Sequence, residues 1–201
     1  MFIQHINEYA YESINCFSFV AMKSFILLMS TALILLSISC KTNTTTEEPK
    51  MKTYQSDSLK LTIQYPSTWE QKTNPNTPNM VGFFEPLSDS ADQYQENLQL
   101  WVDEIPFELP DSIYKKAAIT QIQLANPTFN IKRLPEIKTS QATFSHFQFE
   151  FTTNDSSQYM VNGYVFLKKK YGYNINFTSE KNKWEKYETI IEQLLQTFKP
   201  L

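Results

Sequence analysis

The sequence predicts an α+β domain with two helices packed on an antiparallel sheet, and three observations carry that prediction. Apolar and polar residues alternate in short stretches, as where Phe147, Phe149 and Phe151 interleave with His146, Gln148 and Glu150, the period of a half-buried strand. Two longer stretches repeat apolar residues every three or four positions, the period of a helix buried along one side. Strands come first, then one helix, then more strands and a closing helix, an order that belongs to α+β architecture rather than to alternating α/β units.

The elements follow in order. Leu59, Leu61, Ile63 and Tyr65 alternate with Lys60, Thr62 and Gln64 until Pro66 stops the strand. A short strand is expected at Trp69, and Asn74 to Asn79 is turn chemistry, because proline presets φ and asparagine tolerates left-handed backbone. Met80 to Glu85 reads as a strand ended by Pro86, and a polar loop from Ser88 to Glu96 leads to a strand from Asn97 to Ile105. There Leu98, Leu100 and Val102 share one face and Trp101 points to the other. Pro110-Asp111-Ser112 opens a helix that runs to about Leu124, with Ile113, Ala117, Ala118, Ile122 and Ala125 as its apolar side. Short strands are expected near Phe129 to Leu134 and Glu136 to Thr139, then longer ones around Phe149, from Tyr159 to Lys168, and around Ile175, arranged as a meander of consecutive strands. In the last element Trp184, Tyr187, Ile191, Leu194, Leu195 and Phe198 mark a helix, with Ser179 as its expected N-cap and Pro200 beyond its end.

Ahead of this region stands a segment of a different kind. Lys23 precedes an apolar run from Phe25 to Leu36, and the small residues Ser37 and Ser39 flank Ile38 just before Cys40, the layout of a secretory signal. The run falls short of the roughly 20 apolar residues needed to span a bilayer. A signal ending in Leu36-Ser37-Ile38-Ser39-Cys40 resembles the lipobox of bacterial lipoproteins, here with the leucine four residues before the cysteine. That resemblance implies cleavage before Cys40 and acylation of its thiol, so residues 22–39 are the signal peptide and Cys40 is the lipid attachment site. A cleaved soluble export signal and a retained helix are the alternatives. Residues 1–21 carry Glu8 and Glu12 and no lysine or arginine, unlike a signal's positive start, and are expected to be an upstream extension with translation beginning at Met22. Residues 40–53 form an expected tether, polar throughout Lys41 to Lys50, and about 12 such residues would span roughly 20 Å. Lys41 and Thr42, in place of an aspartate after the cysteine, point by the same resemblance to the outer membrane.

Within 54–201, Leu61-Thr62-Ile63-Gln64-Tyr65-Pro66-Ser67-Thr68-Trp69, Glu96-Asn97-Leu98-Gln99-Leu100-Trp101-Val102 and Tyr173-Asn174-Ile175-Asn176-Phe177-Thr178 resemble the PsbP-like superfamily, named for the extrinsic protein of photosystem II. Leu195-Gln196-Thr197-Phe198 fits the same pattern. The resemblance implies an antiparallel sheet sandwiched by helices and a non-catalytic binding, accessory or assembly role. The photosynthetic members' part in retaining calcium and chloride is not carried over.

Composition narrows the chemistry further. Three glycines, each alone, leave no way to write a dinucleotide fingerprint or a phosphate-cradling loop. Two histidines and two cysteines, with both cysteines ahead of the domain, leave a structural zinc site or a disulfide framework without ligands. A net charge of -3 gives no reason to expect nucleic acid as a partner. His146 lies mid-strand beside Ser145, and a satisfied structural histidine is the expected reading over a hydrolytic triad. Asp89, Asp92 and Glu96 place oxygen ligands in one loop, which suits a hard cation such as calcium but lacks the glycine and ligand spacing of an EF-hand; a solvated loop is the expected reading. Tyr171, Tyr173, Trp101, Phe84 and Phe107 are expected mainly in the core, with binding of a protein, a glycan or a lipophilic ligand as the other reading. Lys168-Lys169-Lys170 is expected to be a charged hairpin turn. The expectation for the whole is a membrane-anchored envelope lipoprotein that uses no cofactor and binds an envelope protein or ligand as a monomeric domain. An enzyme working on glycans or cell wall through carboxylates alone is the alternative.

Overall fold

The computed structural model describes residues 49–89, 92 and 94–201. The expected extension 1–21, the signal peptide 22–39, Cys40 and the tether up to residue 48 lie outside the described residues, as do Ser90, Ala91 and Gln93 of the acidic loop. The strands are β1 (Met51–Ser56), β2 (Leu61–Pro66), β3 (Glu70–Lys72), β4 (Met80–Phe84) and β5 (Asn97–Glu104), then β6 (Lys132–Lys138), β7 (Thr143–Thr152), β8 (Gln158–Lys168), β9 (Tyr171–Glu180) and β10 (Lys199–Pro200). Helix α1 (Asp111–Ala125) joins β5 to β6, and α2 (Trp184–Thr197) follows β9 after a 3₁₀ turn.

The strands form two antiparallel sheets. A seven-stranded sheet has the order β3-β4-β5-β9-β8-β7-β6, and a three-stranded one the order β1-β2-β10. The expected meander therefore holds only in pieces, because β5 pairs with β9 and the crossover through α1 carries the chain to the far edge. Period-2 alternation gives the large sheet two different faces. On one, Leu98, Leu100, Ile175, Phe177 and Phe166 join β2 and α2 in the main core, where Leu194 and Phe198 are fully buried. On the other, Phe147, Phe149, Val161 and Val165 pack against Ala118, Ile119 and Ile122 of α1. The sheet is thus sandwiched, by α1 on one side and by α2 with the small sheet on the other.

Several local expectations change. β1 begins at Met51, inside the stretch expected to be tether, because residues 51–56 pair along the whole of β2. Trp69 lies in a bend rather than a strand and is buried against Phe177 and Tyr187. The two short strands expected between 129 and 139 are the single strand β6, interrupted by a register shift between Leu134 and Ile137 next to Pro135, which has no N–H to donate. In α1 the buried side is Tyr114, Lys115, Ala118, Ile119 and Ile122, whereas Ile113 is half exposed and Ala117 is exposed. Ser179 does not cap α2: the strand runs on to Glu180, the 3₁₀ turn intervenes, and Lys183 takes the cap position. After α2, Lys199 and Pro200 pair with Thr62 and Leu61, closing the small sheet with the chain's last residues.

Candidate functional site

Asp92 and Glu96 of the acidic loop meet a lysine that comes from the other end of the domain. Lys183 lies in the turn between β9 and α2, and its Nζ sits 3.1 Å from Asp92 Oδ1, 3.1 Å from Glu96 Oε1 and 2.8 Å from Glu180 Oε2. Asp92 Oδ2 also accepts hydrogen bonds from the Ser88 N–H at 3.1 Å and the Ser88 hydroxyl at 2.9 Å. Burial opposes ionisation of Asp92, but these bonds and those from Lys183 and Tyr94 outweigh it and hold the carboxyl down at about 2. Glu96 is 2% exposed, and desolvation pushes its carboxyl above the usual range against the pull of Lys183. Asp89 Oδ1 accepts the Asp92 N–H. Two of the three carboxylates that suggested a calcium ligand set, Asp92 and Glu96, are therefore spent on an internal ammonium, which a cation would have to displace.

His146 projects from β7 towards the α2 side and stacks on Tyr164 with ring centroids 4.7 Å apart. Its Nε2 lies 3.2 Å from Asn162 Oδ1, which also accepts from Gln148 Nε2 at 3.2 Å. Burial lowers the imidazole pKa, so the neutral ring is favoured. Ser145, next in sequence, points to the opposite face, where it lines a cleft beside α1. The strand separates the two groups a triad would need together. Beside His146, Asn162 Nδ2 is buried without a hydrogen-bond partner among the described residues, as is Ser179 Oγ further along the sheet.

The aromatic candidates divide. Tyr173 is fully buried and stacks on Phe166 at 4.9 Å, and Trp101 is 9% exposed. Tyr171 and Phe84 are half-buried, while Phe107 is 62% exposed in the loop before α1. Lys168 ends β8 and Lys169 and Lys170 form the tight turn into β9, with Lys169 at φ 54° and Lys170 paired to Glu104.

Two polar clusters on the α1 side had no signal in the sequence. In the first, Asn174 Nδ2 donates to Tyr114 Oη at 2.7 Å and to Asp103 Oδ2 at 3.3 Å. Desolvation raises the Asp103 pKa to about 6 despite a hydrogen bond from Tyr114. The second is built on Lys115, a side chain 8% exposed, whose Nζ is 2.8 Å from Asp111 Oδ2 and 3.3 Å from Glu136 Oε1. Asp111 is held in turn, because its Oδ1 accepts the Leu167 N–H at 2.8 Å. This ion triad forms part of the wall of an open cleft of about 530 Å³ between the first turns of α1 and strands β6 and β7. Ser112, Lys116, Arg133, Thr143 and Ser145 complete its lining. The cleft exists because α1 leans on β8, leaving the outer strands β6 and β7 uncovered near their Lys138–Thr143 end.

No family model and no curated protein matches this sequence. Solved structures do match. LpqN of Mycobacterium tuberculosis, described as involved in cell envelope biogenesis, superposes with a TM-score of 0.52 at 9% identity, over 69% of this chain and 82% of its own. The cyanobacterial PsbP, CyanoP, of Synechocystis sp. PCC 6803 superposes with a TM-score of 0.50 at 12% identity, over 75% of this chain and 92% of its own. A protein of Bacteroides thetaiotaomicron gives a TM-score of 0.49 at 16% identity over 75% of this chain, which spans about half, 48%, of that protein. The domain has a PsbP-like α+β fold.

Proposed function

We propose that this chain is a bacterial envelope lipoprotein, anchored through lipid on Cys40, whose PsbP-like domain serves as a non-catalytic binding, accessory or assembly factor. The observation that carries the reading is the short apolar run ending in Leu36-Ser37-Ile38-Ser39-Cys40. The fold likeness to LpqN, itself described as a cell envelope biogenesis protein, supports it. So does the state of the reactive groups. Among the described residues His146 is committed to Asn162, Asp92 and Glu96 to Lys183, and Asp103 to Tyr114 and Asn174. Each has a partner from within the domain, an arrangement that suits rigidity more than turnover. The partner is an envelope protein or ligand, and the membrane that Lys41 favours is the outer one.

Fractionation tests the anchor: Cys40→Ala should move the protein from the membrane to the soluble fraction, and continued membrane attachment would refute the assignment. Affinity capture of the tagged, lipidated chain tests the role. Recovery of no specific partner, together with turnover of a cell-wall or polysaccharide substrate, would replace the binding function with an enzymatic one.

A further inference from the structure

We propose that the cleft between α1 and the β6–β7 edge binds a monosaccharide-sized ligand bearing one anionic group, a carboxylate or a phosphate. The site does not depend on attachment through Cys40. A volume of about 530 Å³ lies in the ordinary range for small-molecule sites. Its charges are not equivalent. Lys115 is buried and neutralised where it stands, because Asp111 and Glu136 both hold its Nζ. Lys116 and Arg133 line the same cleft, are exposed, and make no ion pair with any described residue.

Two free cations beside a triad of net charge -1 leave the cleft lining with one positive charge in excess, enough to take a single oxyanion. A guanidinium offers paired N–H donors and an ammonium a point charge, a combination suited to a carboxylate or phosphate. The exposed oxygens of Asp111 and Glu136 disfavour a second anionic group and accept hydroxyl protons instead. Ser112, Thr143 and Ser145 add three hydroxyls that both donate and accept. A polyol ring with one acidic substituent matches this lining, and an apolar ligand does not.

Ligand-observed NMR on the intact chain tests the assignment, with D-glucuronate and glucose 6-phosphate as probes and glucose and inorganic phosphate as controls. The expected result is saturable millimolar binding of at least one sugar acid, about tenfold tighter than either control. Arg133→Gln with Lys116→Gln should weaken it about tenfold without lowering the melting temperature, since both side chains are exposed. Thr143→Ala with Ser145→Ala should erase the preference for the sugar acid over inorganic phosphate. Equal binding of glucose, equal binding of inorganic phosphate, insensitivity to the Arg133 and Lys116 substitutions, or no saturable binding of either sugar acid would each overturn the proposal.

Discussion

The two faces of the seven-stranded sheet are covered by different means. On the α2 face, aromatic and aliphatic side chains from both sheets and from α2 meet in one core, and Leu61, Ile63, Leu100, Ile175, Leu194 and Phe198 are at most 1% exposed. On the α1 face a smaller apolar cluster borders two polar ones, Asp103–Tyr114–Asn174 and Asp111–Lys115–Glu136, and then an open cleft. The three glycines, Gly82, Gly163 and Gly172, fall at sheet positions facing the α1 side, and at each an aromatic ring lies against the bare backbone. The larger apolar core lies on the closed face, and the charged cleft lies on the open one.

The largest expected effect comes from cutting into each face with comparable truncations. Leu194→Ala leaves a void between two sheets that cannot close, and chemical denaturation should show a loss of about 4 kcal/mol. Ile122→Ala, beside a smaller cluster with room to relax, should cost about 2.5 kcal/mol. Equal losses would break the contrast. Next, Lys183→Met strips the counter-ion from buried Glu96 and should cost about 3 kcal/mol by the same measurement. Adding Glu96→Gln should return part of it, and a double variant as unstable as the single one would deny that the buried charge is the cause.

Gly172→Ala comes third. A Cβ there would stand 2.1 Å from Tyr114 Cζ, so the ring and α1 must shift, at about 2 kcal/mol, whereas an unchanged melting temperature would mean that α1 rides loosely on the sheet. The smallest effect is in pH dependence. The Asp103 pKa is raised in the fold, so its stabilising contribution is complete below the ordinary value of 3.8 and is lost as pH rises through about 6. Asp92 is depressed to about 2, so its contribution is present above 3.8 and fades as pH falls towards 2. Asp103→Asn should flatten stability between pH 4 and 6 while leaving the acid limb intact; loss of the acid limb as well would show the two carboxylates to be coupled.

How far the sequence reveals this depends on how local each cause is. β5, β7 and β9 were legible because an apolar residue recurs at every second position on the main-core face or the α1 face, visible in Leu98, Leu100 and Val102. α2 was legible from its stripe, but its start was not: Ser179 looks like a cap only until β8 pairs with β9 through Glu180. The stripe of α1 was misread because Tyr114 and Lys115 bury long amphipathic side chains, while the plainly apolar Ile113 faces out. Trp69 suggested a strand by residue type, yet it serves as a plug in the core. The acidic loop was found as a cluster of carboxylates, but Lys183, 87 positions beyond Glu96, was beyond any local pattern. The cleft is assembled from Ser112, Arg133 and Ser145 on three elements, and no spacing rule links them.

β6 lies at the margin of the large sheet, with one row of backbone amides and carbonyls turned away from every other strand among the described residues. It contains Lys132, Arg133, Pro135, Glu136 and Lys138, and its pairing slips between Leu134 and Ile137. A second chain approaching edge-on would meet charge, a residue without an N–H and a break in register, three obstacles to extending the ladder. The same cationic strand that serves the cleft thereby guards the domain against intermolecular β-sheet growth, a useful property wherever many copies are crowded together.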